Sequence, residues 1–194
     1  MLVLIYKEIG KKMKKFIFLV IMLITTFSCG VRPEKVVETF LTDVKEKKVD
    51  DAMKLTTNPD FVKNLEHDFK NNMQRLFFNA LYSNLNFKIL NSTKQQDKSI
   101  IVNVEIENID VQDLLLKVFQ NSLQKTFNGQ TDVNIEKEIL AILSDNNLKK
   151  NKIVDQYVLV KSGGKYKIQV TSKNIDNIFG GYYSSIANIS NIGR

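Results

Sequence analysis

The sequence predicts an α+β fold, with an antiparallel sheet packed on N-terminal helices and a helical hairpin inserted between strands. Apolar residues recur at helical spacing over residues 33–81, which is typical of helices with one buried face. Apolar and polar residues alternate over 100–106 and again over 165–170, which is typical of half-buried strands. Two further helical patterns fall between those strand regions, at about 110–148. The chain length suits one domain preceded by an N-terminal segment.

Three helices are predicted at the start of the domain. Pro33 suits the first turn of the first helix, whose apolar stripe contains Val36, Val37, Phe40, Leu41 and Val44. Asp50 is expected to cap a short second helix, which ends at Asn58-Pro59. A long third helix is expected to run without interruption from Phe61 to about Asn84, because no proline intervenes.

Four strands are predicted in two pairs. The first pair covers 85–89 and 100–106, joined by a turn at 95–98. The second covers 157–160 and 166–170, joined through Ser162-Gly163-Gly164, since a glycine pair between two alternating runs favours a tight hairpin. The lysine-rich segment 149–152 is interpreted as a solvated turn before the third strand.

The helical hairpin over 110–148 is the most distinctive part of the pattern. Its inner face is predicted to contain Leu115, Leu116, Phe119, Leu123, Phe127, Ile135, Ile139, Ile142 and Leu143. Leu114 lies off that face and Leu140 lies at its edge, so these two form a candidate partner surface. Packing against the rest of the domain is the alternative. A last amphipathic segment, 175–189, is interrupted by Gly180-Gly181.

Charge and cysteine content narrow the function classes. The formal net charge is +7, but five of the lysines lie in residues 1–28 and the remainder of the chain is nearly balanced. Its lysines are interleaved with acids, and only three arginines occur, which argues against nucleic-acid binding. Cys29 is the only cysteine, so an intramolecular disulfide and a cysteine-based zinc site are excluded.

The N-terminal segment has the order of an export signal. Four lysines over residues 11–15 precede the apolar run Phe16 to Phe27, and the small residue Ser28 stands before Cys29. The uncharged stretch is shorter than the ~20 residues of a membrane-spanning helix. The sequence therefore predicts a signal peptide at 1–28 and a domain at 29–194. Met13 is a second candidate for the start of translation.

The tetrapeptide Thr26-Phe27-Ser28-Cys29 resembles the lipobox of bacterial lipoproteins. The resemblance implies that Cys29 receives lipid and becomes the first residue of a protein held on the outer side of the cytoplasmic membrane. Two or three acyl chains would anchor the protein stably, whereas one would not. An uncleaved membrane anchor and an ordinary secretory signal are the alternatives.

Three passages resemble the nuclear transport factor 2-like (cystatin-like) superfamily, and in particular its lipid-anchored bacterial members of unknown function. They are residues 33–41 followed by 49–55, the strand around 100–106, and the segment 164–168, GKYKI. The resemblance implies a cone-like curved sheet wrapped on helices, often with a pocket. The superfamily contains ketosteroid isomerases as well as proteins without chemistry, so fold alone does not assign an activity.

No catalytic residue, metal ligand or cofactor is predicted. His67 is the only histidine and falls opposite the apolar face of its helix, so it can form neither a triad nor a zinc site alone. Tyr82, Tyr157 and Tyr166 could line a cone, but no acid has a matching placement, since Asp43, Asp50 and Asp51 fall at helix ends. Asp110 and Asp113 are interpreted as a helix N-terminus rather than a cation site.

The leading functional prediction is a lipid-anchored binding or interaction module of the cell envelope without catalytic activity. Its ligand would be a small apolar molecule or an envelope protein. One alternative is a cone-pocket enzyme with an Asp/Tyr acid–base pair. Another is an immunity-type protein that binds its partner through residues 110–148.

Overall fold

The predicted α+β class is confirmed. The computed structural model describes residues 31–63, 69, 71–130, 132–145 and 147–192, except the side chains of Phe61 and Ile192. Arg32–Arg194 forms one compact unit. The predicted signal peptide, Cys29 and His67 lie outside the described residues.

Helices pack with a four-stranded antiparallel sheet of order β1-β2-β3-β4. The elements follow one another as α1 (Pro33–Lys45), α2 (Val49–Lys54), α3 (Pro59–Lys63), α4 (Asn72–Asn84), β1 (Asn86–Lys94), β2 (Ile100–Ile109), α5 (Val111–Phe127), α6 (Ile135–Leu143), β3 (Lys150–Ser162), β4 (Lys165–Gln169), α7 (Ser172–Ile178) and α8 (Tyr182–Ile192).

The sheet has two ends that differ in their connections. At the hairpin end, β1 turns into β2 and β3 turns into β4, with Ile100 paired to Leu159 and Leu159 to Ile168. At the insert end, Ile109 pairs with Lys150, and the α5–α6 hairpin joins β2 to β3. The predicted helical hairpin insert is therefore confirmed.

Helix α1 packs across the sheet as its pattern predicts. All five residues of its apolar stripe are buried. Its first turn lies at the hairpin end, where Glu34 accepts a hydrogen bond from Ser92. Its last turn lies toward the insert end, where Lys45 donates to Asn86 at 3.2 Å. The helix thus runs along β1 between the two ends of the sheet.

The prediction that Asp50 caps the second helix is wrong. Helix α2 begins at Val49, with Lys48 at the capping position and no side-chain capping bond. Lys47 has a positive φ of 61°, and the Lys48 N–H donates to the Asp43 carbonyl at 2.7 Å. This tight closure of α1 brings the chain directly into α2, so that Asp50 lies inside the first turn.

The prediction of one uninterrupted helix from Phe61 to Asn84 is also wrong. Helix α3 ends at Lys63, and α4 begins only after Asn71. Asn71 has extended backbone (φ −148°, ψ 167°), and its side chain accepts a hydrogen bond from the Gln74 N–H at 2.8 Å. An asparagine in this position starts a helix by satisfying an otherwise unpaired amide, which a stripe of apolar residues does not reveal.

Strand β3 begins seven residues earlier than predicted. The sequence predicts a turn at Lys150, Asn151 and Lys152, but these residues pair with the last residues of β2. Lys152 lies 3.3 Å from both Glu105 and Glu107 on the neighbouring strand. These cross-strand ion pairs favour a strand whose own sequence is polar.

The predicted hairpin between β3 and β4 is confirmed. Gly163 and Gly164 both have positive φ, 57° and 79°, as a two-residue type I′ turn requires. The outer edge of β4 is covered, because the Ile168 N–H donates to the Leu55 carbonyl at 2.8 Å and the Thr57 N–H donates to the Ile168 carbonyl at 2.9 Å.

The predicted break at Gly180-Gly181 is confirmed, and it brings the starts of α5 and α8 together. Both glycines have positive φ, 62° and 80°. A Cβ on Gly180 would lie 1.9 Å from the carbonyl oxygen of Ile109, so only glycine fits there. The Val111 N–H donates to the Gly180 carbonyl at 3.2 Å.

Asn108 connects helices to the insert end of the sheet. Its buried side-chain amide donates to the carbonyls of Leu81 at 2.9 Å and Ile178 at 2.7 Å, and its Oδ1 accepts from the Ile109 N–H. The ends of α4 and α7 are thereby fixed to β2. Among the helices that the structure describes, none combines the length and apolar character needed to cross a bilayer.

Candidate functional site

Helix α5 of the insert turns a different face to the core from the one predicted, whereas on α6 the predicted residues Ile139, Ile142 and Leu143 do pack against the core. The α5 residues buried against the rest of the domain are Val111, Leu114 and Val118. Leu114 is only 1% exposed, so its assignment to a partner surface is wrong. Leu140 is half-buried. At 100° per residue, the buried face lies roughly 130° around the helix from the predicted one.

The residues predicted to face inward on α5 are instead largely exposed. Leu116 is 52% exposed, Phe119 60% and Phe127 84%, and Leu123 is exposed as well. Leu115 is partly buried against the core. The larger side chains of α5 therefore form a stripe on the surface. This stripe passes beside α8, which exposes Ile186 and Ile189.

A groove of about 490 Å³ lies between α5 and α8. Its apolar walls are Leu115, Leu116, Phe119 and Ile189, and its polar rim is Gln112, Ser185 and Asn188. None of these side chains is charged. Since α5 and α8 begin at the same point beside Gly180, the groove opens from the insert end of the sheet. The size lies within the range of small-molecule sites.

The electrostatics around the groove are neutral. Helix α8 contains no charged residue. The lysines of α5 are paired, because Lys117 lies 3.0 Å from Asp113 and Lys125 forms an ion pair with Glu138 on α6. Lys125 holds the pKa of the Glu138 carboxyl below its ordinary value, chiefly through their hydrogen bond. A neutral groove favours an apolar occupant over a polyanion.

A polar recess of about 150 Å³ adjoins the groove and shares Gln112 and Ser185 with it. Asp110, Asp176 and Asn177 lie in its wall, beside the backbone of Gly180 and Gly181. The groove is chiefly apolar and the recess is chiefly polar. The sequence does not indicate the groove or the recess, because both form only where the segment after β4 packs beside α5.

The two carboxylates of the recess differ in their partners. Asp110 caps α5 by accepting the Asp113 N–H at 3.0 Å, and it pairs with Lys149 at 3.0 Å. This agrees with the interpretation of Asp110 and Asp113 as a helix N-terminus. Asp176 accepts the N–H groups of Tyr183 at 2.8 Å and Ser184 at 3.1 Å through one oxygen. No lysine or arginine of the described segments lies within ion-pair distance of Asp176.

Asn177 contributes a polar atom that the fold leaves unsatisfied. Its Nδ2 is buried and finds no hydrogen-bond partner among the described residues. Buried polar groups are nearly always paired, and an exception calls for an explanation.

An acid that the sequence pattern does not single out lies near one of the tyrosines. Asp155 is 2% exposed and points to the core side of β3, two residues before the fully buried Tyr157. Its Oδ2 accepts from Asn174 Nδ2 at 2.9 Å, and its Oδ1 accepts from the Gln156 N–H. Alternation back from Tyr157 could have indicated Asp155, had β3 been predicted to start earlier.

Burial controls the ionisation of the tyrosines. It raises the pKa of Tyr157 well above the ordinary value, with a smaller effect from Asp155, and the Tyr157 hydroxyl has no hydrogen-bond partner among the described residues. Burial also raises the pKa of Tyr82. Tyr166 is half-buried on β4. Neither Asp155 nor Tyr157 lines the groove or the recess, and both side chains are buried in the core.

Within the described segments, no group of three or more histidine, cysteine, aspartate or glutamate side chains is placed to hold a metal ion. No protein-family model, curated protein or solved structure matches the chain.

Proposed function

We propose that the chain is a lipid-anchored binding protein of the bacterial cell envelope, without catalytic activity, whose ligand occupies the groove between α5 and α8. The observation that carries the proposal is the groove itself. Leu116 and Phe119 remain exposed on a helix that already buries its opposite face. Exposed apolar surface that the fold does not require is typical of a binding site.

The anchor part of the proposal is supported by the sequence. A lysine-rich start, an apolar run and Ser28-Cys29 have the order of a lipoprotein signal. Cys29 precedes Arg32 by three residues, which span at most about 11 Å. A lipid on Cys29 would therefore hold the start of α1 close to the membrane.

The sheet would then separate the anchor from the groove. The start of α1 lies at the hairpin end, beside Ser92, whereas the groove opens from the insert end. The ten residues of β2 between these ends span about 30 Å at 3.3 Å per residue. Such a groove would face solutes and proteins of the envelope rather than the anchoring bilayer.

The nuclear transport factor 2-like resemblance gives the proposal its finer fold, a cone-like curved sheet. In this view α1 and α7 fill the cone. Helix α1 contacts β1, β2 and β4, and α7 contacts β2 and β3. Tyr157 lies fully buried between these layers, with its ring 6.3 Å from that of Phe40. A filled cone favours a binding protein whose site lies elsewhere.

The alternative enzyme has less support. Asp155 and Tyr157 are of the right types for an acid–base pair, but a substrate needs a cavity that reaches them. The Asp155 carboxylate also already accepts a hydrogen bond from the Asn174 side chain. The partner-protein alternative would use Leu116 and Phe119 instead of Leu114.

Two measurements test the proposal. Intact mass of the membrane-extracted protein should show a chain that starts at Cys29 with added acyl mass, and the Cys29→Ala variant should lack that mass. An unmodified chain that retains residues 1–28 would contradict the anchor.

The groove is tested with Nile red, a neutral apolar dye whose fluorescence rises in apolar surroundings. Leu116→Ser with Phe119→Ser should abolish the rise without loss of helical circular dichroism. Phe127→Ser is the matched control, because Phe127 lies on the same helix beyond the groove. Equal dye binding by all three proteins would refute the groove as the site.

A further inference from the structure

We infer that four exposed lysines at the hairpin end of the sheet bind the head groups of anionic phospholipids, so that the domain contacts its membrane with this end. The four residues, named the lysine face, are Lys94, Lys98, Lys161 and Lys165. The inference rests on the proposed membrane anchor and adds a contact that orients the domain. It does not depend on what the groove binds.

The two hairpins bring the lysine face together. Lys94 pairs with the first residue of β2, and Lys98 lies in the turn that joins these strands. Lys161 and Lys165 belong to the last two residue pairs of the β3–β4 hairpin. Strands β1 and β4 lie three strand spacings apart, or about 14 Å. One patch of lipid can therefore contact all four side chains at once.

The fold does not require lysine at these positions. Within the described segments, none of the four lies at ion-pair distance from a carboxylate. Lys98 has a φ of 68°, where glycine or asparagine costs less than lysine. The acid between the first two lysines does have a local role, because Asp97 accepts the Ser99 N–H at 3.0 Å and closes the turn.

Charge is distributed unequally between the two ends of the sheet. At the hairpin end, segments 94–99 and 161–165 hold four lysines and one acid. At the insert end, segments 107–113, 147–152 and 176–184 hold three lysines and four acids, and two of these lysines are in ion pairs. Only the hairpin end therefore has the excess of positive charge that an anionic bilayer attracts.

The elements beside the lysine face do not cancel this excess. The start of α1 adds no net charge, because it contains two basic residues and two acids: Arg32, Lys35, Glu34 and Glu38. Lys167 is half-buried in a depression beside α2, and Lys54 and Asp50 lie in the same wall. We therefore leave Lys167 out of the lysine face.

The position of the anchor favours a bilayer over an acidic protein as the partner. Glu34, in the first turn of α1, accepts a hydrogen bond from Ser92, which lies two residues before Lys94. Cys29 precedes Arg32 by three residues, or at most about 11 Å. An anchor there would hold the lysine face near head groups whose field extends about 8 Å at physiological ionic strength.

The test measures which end of the domain contacts lipid. The full chain carries Cys29→Ala, so that a fluorophore can be attached to one new cysteine, either Gln96→Cys in the first hairpin turn or Asn188→Cys on the groove rim. Each protein is reconstituted at low salt into nanodiscs with a nitroxide quencher on some lipid head groups. Because this chain retains its apolar run Phe16 to Phe27, the assay does not depend on acylation.

Nanodiscs of phosphatidylcholine are compared with nanodiscs of equal parts phosphatidylcholine and phosphatidylglycerol. Phosphatidylglycerol should raise quenching at Gln96→Cys about twofold or more and leave quenching at Asn188→Cys unchanged. About 1 M salt should abolish the rise, because the Debye length then falls to about 3 Å.

Two triple variants of equal net charge separate the lysine face from the charge of the whole domain. Each lysine near an anionic surface favours contact about fivefold. The rise should therefore be lost in the variant with Lys94→Gln, Lys98→Gln and Lys165→Gln. It should persist in the matched control, which replaces three exposed lysines elsewhere: Lys88→Gln, Lys137→Gln and Lys150→Gln.

Three results would overturn the inference. They are equal quenching at the two labelled sites, quenching at Gln96→Cys that does not depend on phosphatidylglycerol, and equal losses in the two triple variants. An acidic protein as the true partner would give the second result. Intact mass decides acylation of Cys29 and Nile red decides the groove, so failure of the proposed function is measured separately.

Discussion

Replacing Gly180 by alanine tests the junction on which the groove depends. In the structure Gly180 has φ 62°, and an added Cβ would lie 1.9 Å from the backbone oxygen of Ile109. That oxygen belongs to a paired strand and cannot rotate away as a side chain could. Gly181 is the matched control, since its φ is 80° but its added Cβ would meet nothing closer than the Ser184 hydroxyl at 3.5 Å.

The expected losses of stability differ, because both positions have left-handed backbone but only Gly180 lacks room for a Cβ. Left-handed backbone costs a non-glycine residue roughly 1–2 kcal/mol at either position. At Gly180 the forced movement adds about 1–3 kcal/mol of overpacking. The hydrogen bond from the Val111 N–H to Gly180, 3.2 Å long, contributes about 0.5–1.5 kcal/mol that is then lost. Gly180→Ala should thus destabilise the domain by about 2–4 kcal/mol more than Gly181→Ala.

Urea unfolding followed by circular dichroism measures both variants in a soluble chain of residues 29–194 that carries Cys29→Ala. The difference corresponds to about 5–15 °C in melting temperature for a domain of this size. Equal stabilities of the two variants would refute this reasoning, because they would mean that the end of β2 moves to accommodate a Cβ at Gly180 without loss of stability.

Three further predictions concern the core and the insert. Leu114→Ala should lower the free energy of unfolding in urea by about 2–5 kcal/mol, whereas Leu116→Ala should change it by no more than about 0.5 kcal/mol. The reverse order would mean that the face of α5 predicted from the sequence is the buried one. Asn174→Ala should cost about 2–4 kcal/mol, since it removes the side-chain oxygen that accepts from the Thr171 N–H in the capping box of α7 and leaves the Asp155 carboxylate buried without its side-chain amide donor. A double-mutant cycle with Asp155→Ala that shows no coupling would contradict this. Lys125 lowers the pKa of the Glu138 carboxyl in the folded state, so the ionised carboxylate stabilises the fold above its ordinary pKa, and this stabilisation is lost as the pH falls. Glu138→Gln should therefore flatten the decline in melting temperature between about pH 5 and pH 3. An unchanged slope would exclude a contribution of Glu138 to stability.

The sequence predicts the buried face of an element correctly where the element has only one apolar stripe. In α1 the residues beside the stripe are polar, so the stripe from Val36 to Val44 can face only the core, and all its members are buried. The strand pairs and the break at Gly180-Gly181 were predicted for similar local reasons. Alternation fixes which side of a strand is buried, and a glycine pair ends a helix.

Helix α5 shows where local pattern fails. It has apolar residues on two faces, the smaller set around Leu114 and the larger around Phe119. The pattern favours burial of the larger set, but the smaller set is the buried one. Amphipathicity measures how apolar residues are distributed on one helix, but the neighbouring elements decide which face is covered. The face left over forms the groove, so the error in the fold prediction and the missed site have one cause.

Polar side chains in the core were missed for a related reason. Asn108 bonds to Leu81 and Ile178, which lie 27 and 70 residues away, and Asn174 bonds to Asp155 across 19 residues. A buried asparagine or aspartate resembles a surface residue in the sequence, because only its distant partners make its burial tolerable.

The close contact at Gly180 explains why the groove exists where it does. Since Gly180 lies against the Ile109 carbonyl, α8 must start beside the first turn of α5, and the two helices enclose the groove from that point. An alanine at Gly180 should therefore open the junction and weaken Nile red binding at temperatures where the far-ultraviolet spectrum is still native. The Gly181→Ala variant should retain dye binding up to its own melting temperature. If Gly180→Ala loses the dye only on unfolding, the position of α8 must be set by contacts other than this one.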